Sequence, residues 1–248
     1  MNHETMLPRT HRRLILASCL PLITACALCV VASQVVGEDK PAPGPSPAEC
    51  LKLLKDGNAR YVADQRRFAN LDRKRIAETA AAQFPFATVL GCSDSRVPIE
   101  HLFDAGIGDL FVVRVAGNVC SDHEGGSIEY AVSHLKTPLV VVMGHTACGA
   151  VTAVVENATT GRSFRHLSEH IIPAYREAWS EHPDLGHDDL ITETVRHNVR
   201  RAIADLIKGS PLVRSRVASG ELKVVGAVYN LKTGGVDWLD EKGVPPSP

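Results

Sequence analysis

The chain has 248 residues, a formal net charge of -1, 44% hydrophobic and 5% aromatic residues. That balance offers no basic surplus for gripping nucleic acid and no acidic surplus of a solvating, unfolded chain, while the length and apolar content suffice for one packed catalytic domain. Val, Ala and Leu outweigh the aromatics, which suits buried parallel strands covered by helices better than a β-sandwich.

Arg9, Arg12 and Arg13 precede an apolar stretch from Leu14 to Ala32, and Val30-Val31-Ala32 ends in the small residue that signal peptidase needs. Residues 1–32 are therefore read as an export signal to the periplasm, with retention as a membrane anchor the alternative, since ~20 apolar residues span a bilayer. Arg12-Arg13 before Leu14-Ile15-Leu16 loosely resembles a twin-arginine signal, and Ile23-Thr24-Ala25-Cys26 a lipoprotein box that the apolar run beyond it weakens. Residues 33–47, rich in Pro, Gly and charge, are expected to be a flexible linker, 48–242 the catalytic domain and 243–248 a tail.

Within that domain, Leu51, Leu54, Ala59 and Val62 recur at near-helical spacing, which predicts an amphipathic helix over Glu49 to Asp64; a second is expected over Leu71 to Ala82. Phe86 to Gly91, Leu110 to Val115, Leu139 to Gly144 and Leu222 to Tyr229 are short apolar runs typical of strands buried on both faces. Helical patterns over Gly125 to Leu135 and Ile191 to Lys208 alternate with them. The expected fold class is therefore α/β, a mostly parallel central sheet flanked by helices.

Ligands in such sheets collect beyond the carboxyl ends of the strands. Cys92-Ser93-Asp94-Ser95-Arg96 follows one strand directly, and His145-Thr146-Ala147-Cys148 follows another. His145 and Cys148, three apart, would share one side of a helix start, and Cys92 and Asp94, two apart on extended chain, would point the same way. Together they form a Cys-Asp-His-Cys set suited to tetrahedral zinc. Four ligands would close the site, but Arg96 is placed to take the Asp94 carboxylate in a bidentate pair and draw it off the metal. Zinc would then acidify a water in the vacated position, with Asp94 accepting the resulting hydroxide's hydrogen bond and orienting its lone pair. Two thiolates neutralise the ion, so activity is expected to rise through mildly alkaline pH.

These residues, Cys-Ser-Asp-Ser-Arg and later Gly-His-Thr-Ala-Cys-Gly, resemble the signature pair of β-class carbonic anhydrases. The segments Phe111 to Asn118, Gly126 to Val132 and Val225 to Tyr229 agree in the same order, so that the similarity runs from about Ala48 to Leu239. The resemblance implies a β-carbonic anhydrase-like sheet, one zinc per subunit on Cys92, His145 and Cys148, the Asp94-Arg96 dyad, and a homodimer or tetramer acting on carbon dioxide and bicarbonate. It also implies a pocket lined by Gln83, Phe111 and Tyr130, formed at the subunit interface, where Gln83 would serve the neighbouring zinc. Some members carry a Trp three residues before the first cysteine, part of an inhibitory bicarbonate site; here that position is Val89, which favours an open zinc at neutral pH.

Three rival functions remain at this point: a carbonyl sulfide or carbon disulfide hydrolase using the same zinc, a closed structural zinc module, and a redox protein pairing Cys92 with Cys148. Elsewhere the ordinary roles are preferred. The glycines fit no phosphate-loop spacing, His123 is read as a solvated loop residue, and His166, His170, His182 and His187 lack a third ligand in a segment that Pro173 and Pro183 are expected to disrupt. Cys50 and Cys120 are either a disulfide or two small buried residues.

Overall fold

A computed structural model describes residues 44–158 and 161–239. The expected export signal, most of the linker and the tail lie outside the described residues.

Helix α1 spans Pro47–Val62, opening and closing two residues ahead of the expected Glu49 to Asp64. Ser46 accepts from the Glu49 backbone N–H while the Glu49 carboxylate reaches back to Ser46, a capping box strengthened by Pro47 in the first turn. Its apolar stripe, Cys50, Leu51 and Leu54, is buried. Helix α2 is shorter than the expected Leu71 to Ala82: Asp72 caps it and it covers only Arg73–Thr79, with no buried residue to extend it.

The strands are β1 (Ala87–Cys92), β2 (Leu110–Val115), β3 (Leu139–His145), β4 (Lys223–Tyr229) and β5 (Val236–Trp238). They form one sheet in the order β2-β1-β3-β4-β5; the first four are parallel, and β5 adds antiparallel to β4. Every residue of β1 and β3 is buried, the signature of a strand covered on both faces. The chain leaves β1 for β2 on one side and later returns to β3 on the other, so the order reverses between β1 and β3, where crevices form.

One face of the sheet packs on α1 and on α3 (Ile99–Leu102) through Leu54, Val89, Ile99, Leu102 and Val141. The other packs on α4 (Asp122–Ser133), α5 (Gly149–Val155), α6 (Arg162–Glu181), α7 (His187–Gly209) and α8 (Pro211–Ala218) through Leu90, Ile128, Val142, Ile171, Val199 and Ile203. Cys50 and Cys120 belong to these opposite cores and are free thiols, so the disulfide alternative is replaced by two small buried residues.

Pro173 does not break its segment as expected. It sits inside α6, where it costs one backbone hydrogen bond, and buried Ile171, Ala174 and Ala178 carry the helix through by packing. His166 pairs with Glu169 on this helix, and neither it nor His170 joins a ligand cluster. His123 is exposed, in the first turn of α4 rather than in a loop. Among the described residues, no helix is long and apolar enough to cross a membrane.

Candidate metal centre

Cys92 is the last residue of β1 and His145 the last of β3, and these strands are neighbours, so the two side chains leave adjacent strand ends. Cys148 arrives by a different route from the helical spacing expected of His145 and Cys148. The chain turns at Thr146 and Ala147, Ala147 adopts a left-handed φ of 51°, and Cys148 becomes the N-cap of α5. A strand end and a turn therefore replace one face of a helix. The turn is tied to the end of β4 by Thr146 N–H donating to the Tyr229 carbonyl at 2.9 Å, and to the loop after it by Leu231 N–H donating to Thr146 Oγ1 at 3.1 Å.

The ligand atoms of Cys92, His145 and Cys148 all lie within 4.8 Å of one another, and all three residues are buried. The two sulfurs are 4.0 Å apart. Two sulfurs on a tetrahedral zinc at ~2.3 Å would be ~3.8 Å apart, whereas a disulfide needs ~2.05 Å. Both cysteines are free thiols, so the redox pairing is not formed. The imidazole supports the same reading. His145 Nδ1 lies 3.0 Å from the Thr146 carbonyl, which can only accept, so Nδ1 carries the proton and Nε2 offers a lone pair. Nε2 is buried with no hydrogen-bond partner. A buried, unpaired acceptor is costly, and a cation would satisfy it.

The thiols are electrostatically frustrated without such a cation. The hydrogen bond between the two sulfurs pulls the Cys92 thiol well below its ordinary range against the opposing effect of burial. The same hydrogen bond, then burial and the neighbouring charge, push Cys148 strongly up. Two thiolates coexist here only if a positive ion sits between them.

Asp94 stands at the rim. Its Oδ2 is 3.8 Å from His145 Nε2, but the carboxylate is clamped by Arg96: Nε donates to Oδ1 at 2.9 Å, Nη2 to Oδ2 at 2.7 Å, and the Arg96 backbone N–H to Oδ1 at 2.9 Å. These bonds hold the carboxyl well below the usual carboxylate range. Arg96 Nη2 also donates to the Ala147 carbonyl at 3.3 Å, linking the two loops.

Phe111 and Tyr130 come together, ring centroids 6.1 Å apart, yet not beside these ligands. Phe111 is paired with Thr88, four residues before Cys92, which places it ~13 Å down the sheet. Gln83 is exposed between α2 and β1 and makes no hydrogen bond to any described residue.

The family model for carbonic anhydrase matches residues 87–236. The chain belongs to the β-carbonic anhydrase family. It is 40% identical to the carbonic anhydrase of Mycolicibacterium smegmatis over 208 residues, 81% of this chain and 97% of that relative. It is 38% identical to carbonic anhydrase 2 of Mycobacterium tuberculosis over 77% of this chain and 92% of the relative. Among solved structures, the β-carbonic anhydrase CcaA superposes with TM-score 0.64 at 26% identity, covering 81% of this chain and 91% of that one. A tetrameric β-carbonic anhydrase of Sordaria macrospora gives TM-score 0.59 at 25% identity over 73% and 90% of the two chains.

Three residues of this β-carbonic anhydrase site escaped the sequence reading. Arg114 on β2 donates to the Cys92 carbonyl at 3.0 Å and the Asp94 carbonyl at 2.7 Å, pinning the ligand loop. Gly117 donates its N–H to Cys92 Sγ at 3.3 Å, and Asn198 on α7 donates to the Gly117 carbonyl at 2.7 Å. Arg114 and Gly117 lie inside the Phe111 to Asn118 segment, which carried no role for either, and no local pattern marks Asn198, because each acts through backbone groups brought near by the fold.

Proposed function

We propose that the chain catalyses the reversible hydration of carbon dioxide to bicarbonate and a proton at one zinc ion held by Cys92, His145 and Cys148. The observation that carries this reading is the buried set of two thiols and an unpaired imidazole nitrogen beside a carboxylate held back by arginine. Bound there, zinc supplies the Lewis acidity that moves a water's ionisation toward neutrality, less strongly than beside three imidazoles.

The protein's own groups do the rest. Asp94, kept ionised by Arg96, accepts a hydrogen bond from the reacting water and turns its lone pair toward the carbon of the substrate. Its depressed basicity makes it an orienter that does not retain the proton. By occupying both carboxylate oxygens, Arg96 also keeps Asp94 from closing the metal, and Val89 leaves no indole to favour the closed form.

The apolar wall for carbon dioxide is proposed to come from a second copy of the chain, with Phe111, Tyr130 and Gln83 of each subunit serving the other's metal. Strand β2 supports this: it is an apolar sheet edge, five of its six residues only half-buried, and Tyr130 is 46% exposed. A solution mass of at least a dimer is expected by light scattering. Hydrolysis of carbonyl sulfide or carbon disulfide is not favoured, since the compared relatives are carbonic anhydrases. Export is proposed as well, with residues 1–32 removed, 33–47 as linker and 48–242 acting in the periplasm. N-terminal sequencing of periplasmic protein should then begin at Ser33, and membrane-bound protein still carrying Met1 would count against cleavage.

The test is stopped-flow carbon dioxide hydration beside Asp94→Asn. The wild type should gain activity between pH 7 and 9 and the variant should lose about 10²-fold. Equal rates would remove the dyad assignment, and an inactive zinc-loaded wild type would remove the enzyme reading.

A further inference from the structure

We propose that Asn198 is a positioning residue for the metal: through Gly117 it directs a backbone N–H onto the Cys92 sulfur and so sets how much charge that thiolate donates.

The relay is short and buried. Asn198 is 1% exposed, and its amide donates to the Gly117 carbonyl at 2.7 Å, while Gly117 N–H donates to Cys92 Sγ at 3.3 Å. Gly117 lies in a 3-10 turn over Ala116–Asn118 with φ 68°, a left-handed conformation that glycine adopts without strain. Its surroundings leave little choice of residue, because a Cβ there would lie 2.8 Å from Ile171 Cδ1 and 3.3 Å from Ala150 Cβ. A glycine is also the residue whose peptide groups turn most freely, so something must hold it. Asn198 holds the carbonyl side and the sulfur takes the amide side.

Helix α7 reaches the turn because β3 carries Gly144 beneath it. A Cβ on Gly144 would meet Val195 Cγ1 and Val199 Cγ2, each at 2.9 Å. Its absence lets α7 settle against the strand end that carries His145 and brings Asn198 over Gly117. Hydrogen bonds to a ligating thiolate withdraw electron density and fix its direction, and such outer partners typically change metal affinity 10–100-fold. Two thiolates otherwise quench much of the ion's charge, so an N–H on one of them preserves Lewis acidity.

The proposal rests on the zinc reading, and cobalt substitution separates the two. Wild type, Asn198→Leu, Asn198→Ser and Ile203→Val are loaded with Co²⁺ and scanned for sulfur-to-cobalt charge transfer; zinc affinity is then read by chelator competition. Leucine matches asparagine in bulk but cannot donate, and serine is too short to reach the carbonyl should the leucine variant fail to fold. Ile203→Val trims the same helix in its buried core without touching the relay. Both Asn198 variants should move the band to longer wavelength and weaken zinc about 10-fold, with Ile203→Val matching wild type. Bands and affinities equal to wild type, even with lowered stability, would overturn the proposal. So would equal shifts in Ile203→Val, which would mark a packing effect. A wild type with no sulfur-to-cobalt band would instead sink the metal assignment, and the proposal with it.

Discussion

The close approach of α7 to the strand that carries His145 makes Gly144→Ala a sharp perturbation. The added methyl would stand 2.9 Å from a methyl of Val195 and 2.9 Å from a methyl of Val199, whereas ordinary contact begins at 3.4 Å, so each must retreat about 0.5 Å. Valine in a helix is nearly confined to one rotamer, so neither methyl can swing away and the helix itself must shift. Overpacking of this kind costs about 2 kcal/mol. At about 2–4 °C per kcal/mol for a domain of this size, the zinc-loaded protein at fixed zinc concentration should melt about 4–8 °C lower. Gly125→Ala is the control: a Cβ there meets nothing within 4 Å, so loss of glycine from the interior of α4 should stabilise by about 0.5–1 kcal/mol. A double variant with Val195→Ala should be more stable than the sum of the single losses, by at least about 0.5 kcal/mol, because the two changes share one space. Additive losses, or a Gly144→Ala protein melting with wild type, would refute the packing described.

Zinc uptake should be coupled to protons. The Cys148 thiol is pushed up by the hydrogen bond between the two sulfurs and by burial and must lose its proton to ligate, so zinc uptake should release acid at pH 7. Calorimetry in buffers of different ionisation enthalpy counts it, and release of none would contradict the shared-proton pair. Acid stability turns on Asp104, whose side chain is 2% exposed. Burial pushes its carboxyl up, but the Arg67 N–H, the Arg60 guanidinium at 2.6 Å and the Phe68 N–H outweigh that and hold it below the ordinary value. A depressed folded pKa contributes stability above the unfolded value of about 3.9, lost as pH falls through the folded one. Asp104→Asn should therefore cost about 2 kcal/mol at pH 7 and progressively less below pH 4 by urea denaturation; an unchanged difference at pH 3 would count against the assignment.

The same physics explains what was readable in advance. Buried parallel strands must be apolar throughout, so β2 was legible residue for residue and β1, β3 and β4 to within a residue at either end, whereas the short antiparallel β5, with no buried residue, was not anticipated. Arg96 was legible because two residues of loop leave its guanidinium little room to go anywhere but Asp94. Helix ends were less so: α2 stops at Thr79 for want of anything to bury, and α6 passes Pro173 because packing outweighs one lost bond. Gly117 and Asn198, 81 residues apart, meet through a hydrogen bond that neither segment's own pattern encodes.

That division follows how the centre is built. Cys92 and His145 are the terminal residues of two neighbouring strands whose interiors are wholly buried, so their positions are as rigid as the core itself. Such ligands announce themselves as chemistry at the end of an apolar run. What the sheet does not set is the direction of each donor atom: the sulfur could turn, the imidazole could choose either nitrogen, and the carboxylate could close the ion. Backbone groups decide the first two, Gly117 N–H for the sulfur and the Thr146 carbonyl for the ring, and a guanidinium decides the third. Backbone groups carry no residue identity, which is why the cluster of Cys92, His145 and Cys148 could be read from sequence while the atoms that aim its side chains required the fold.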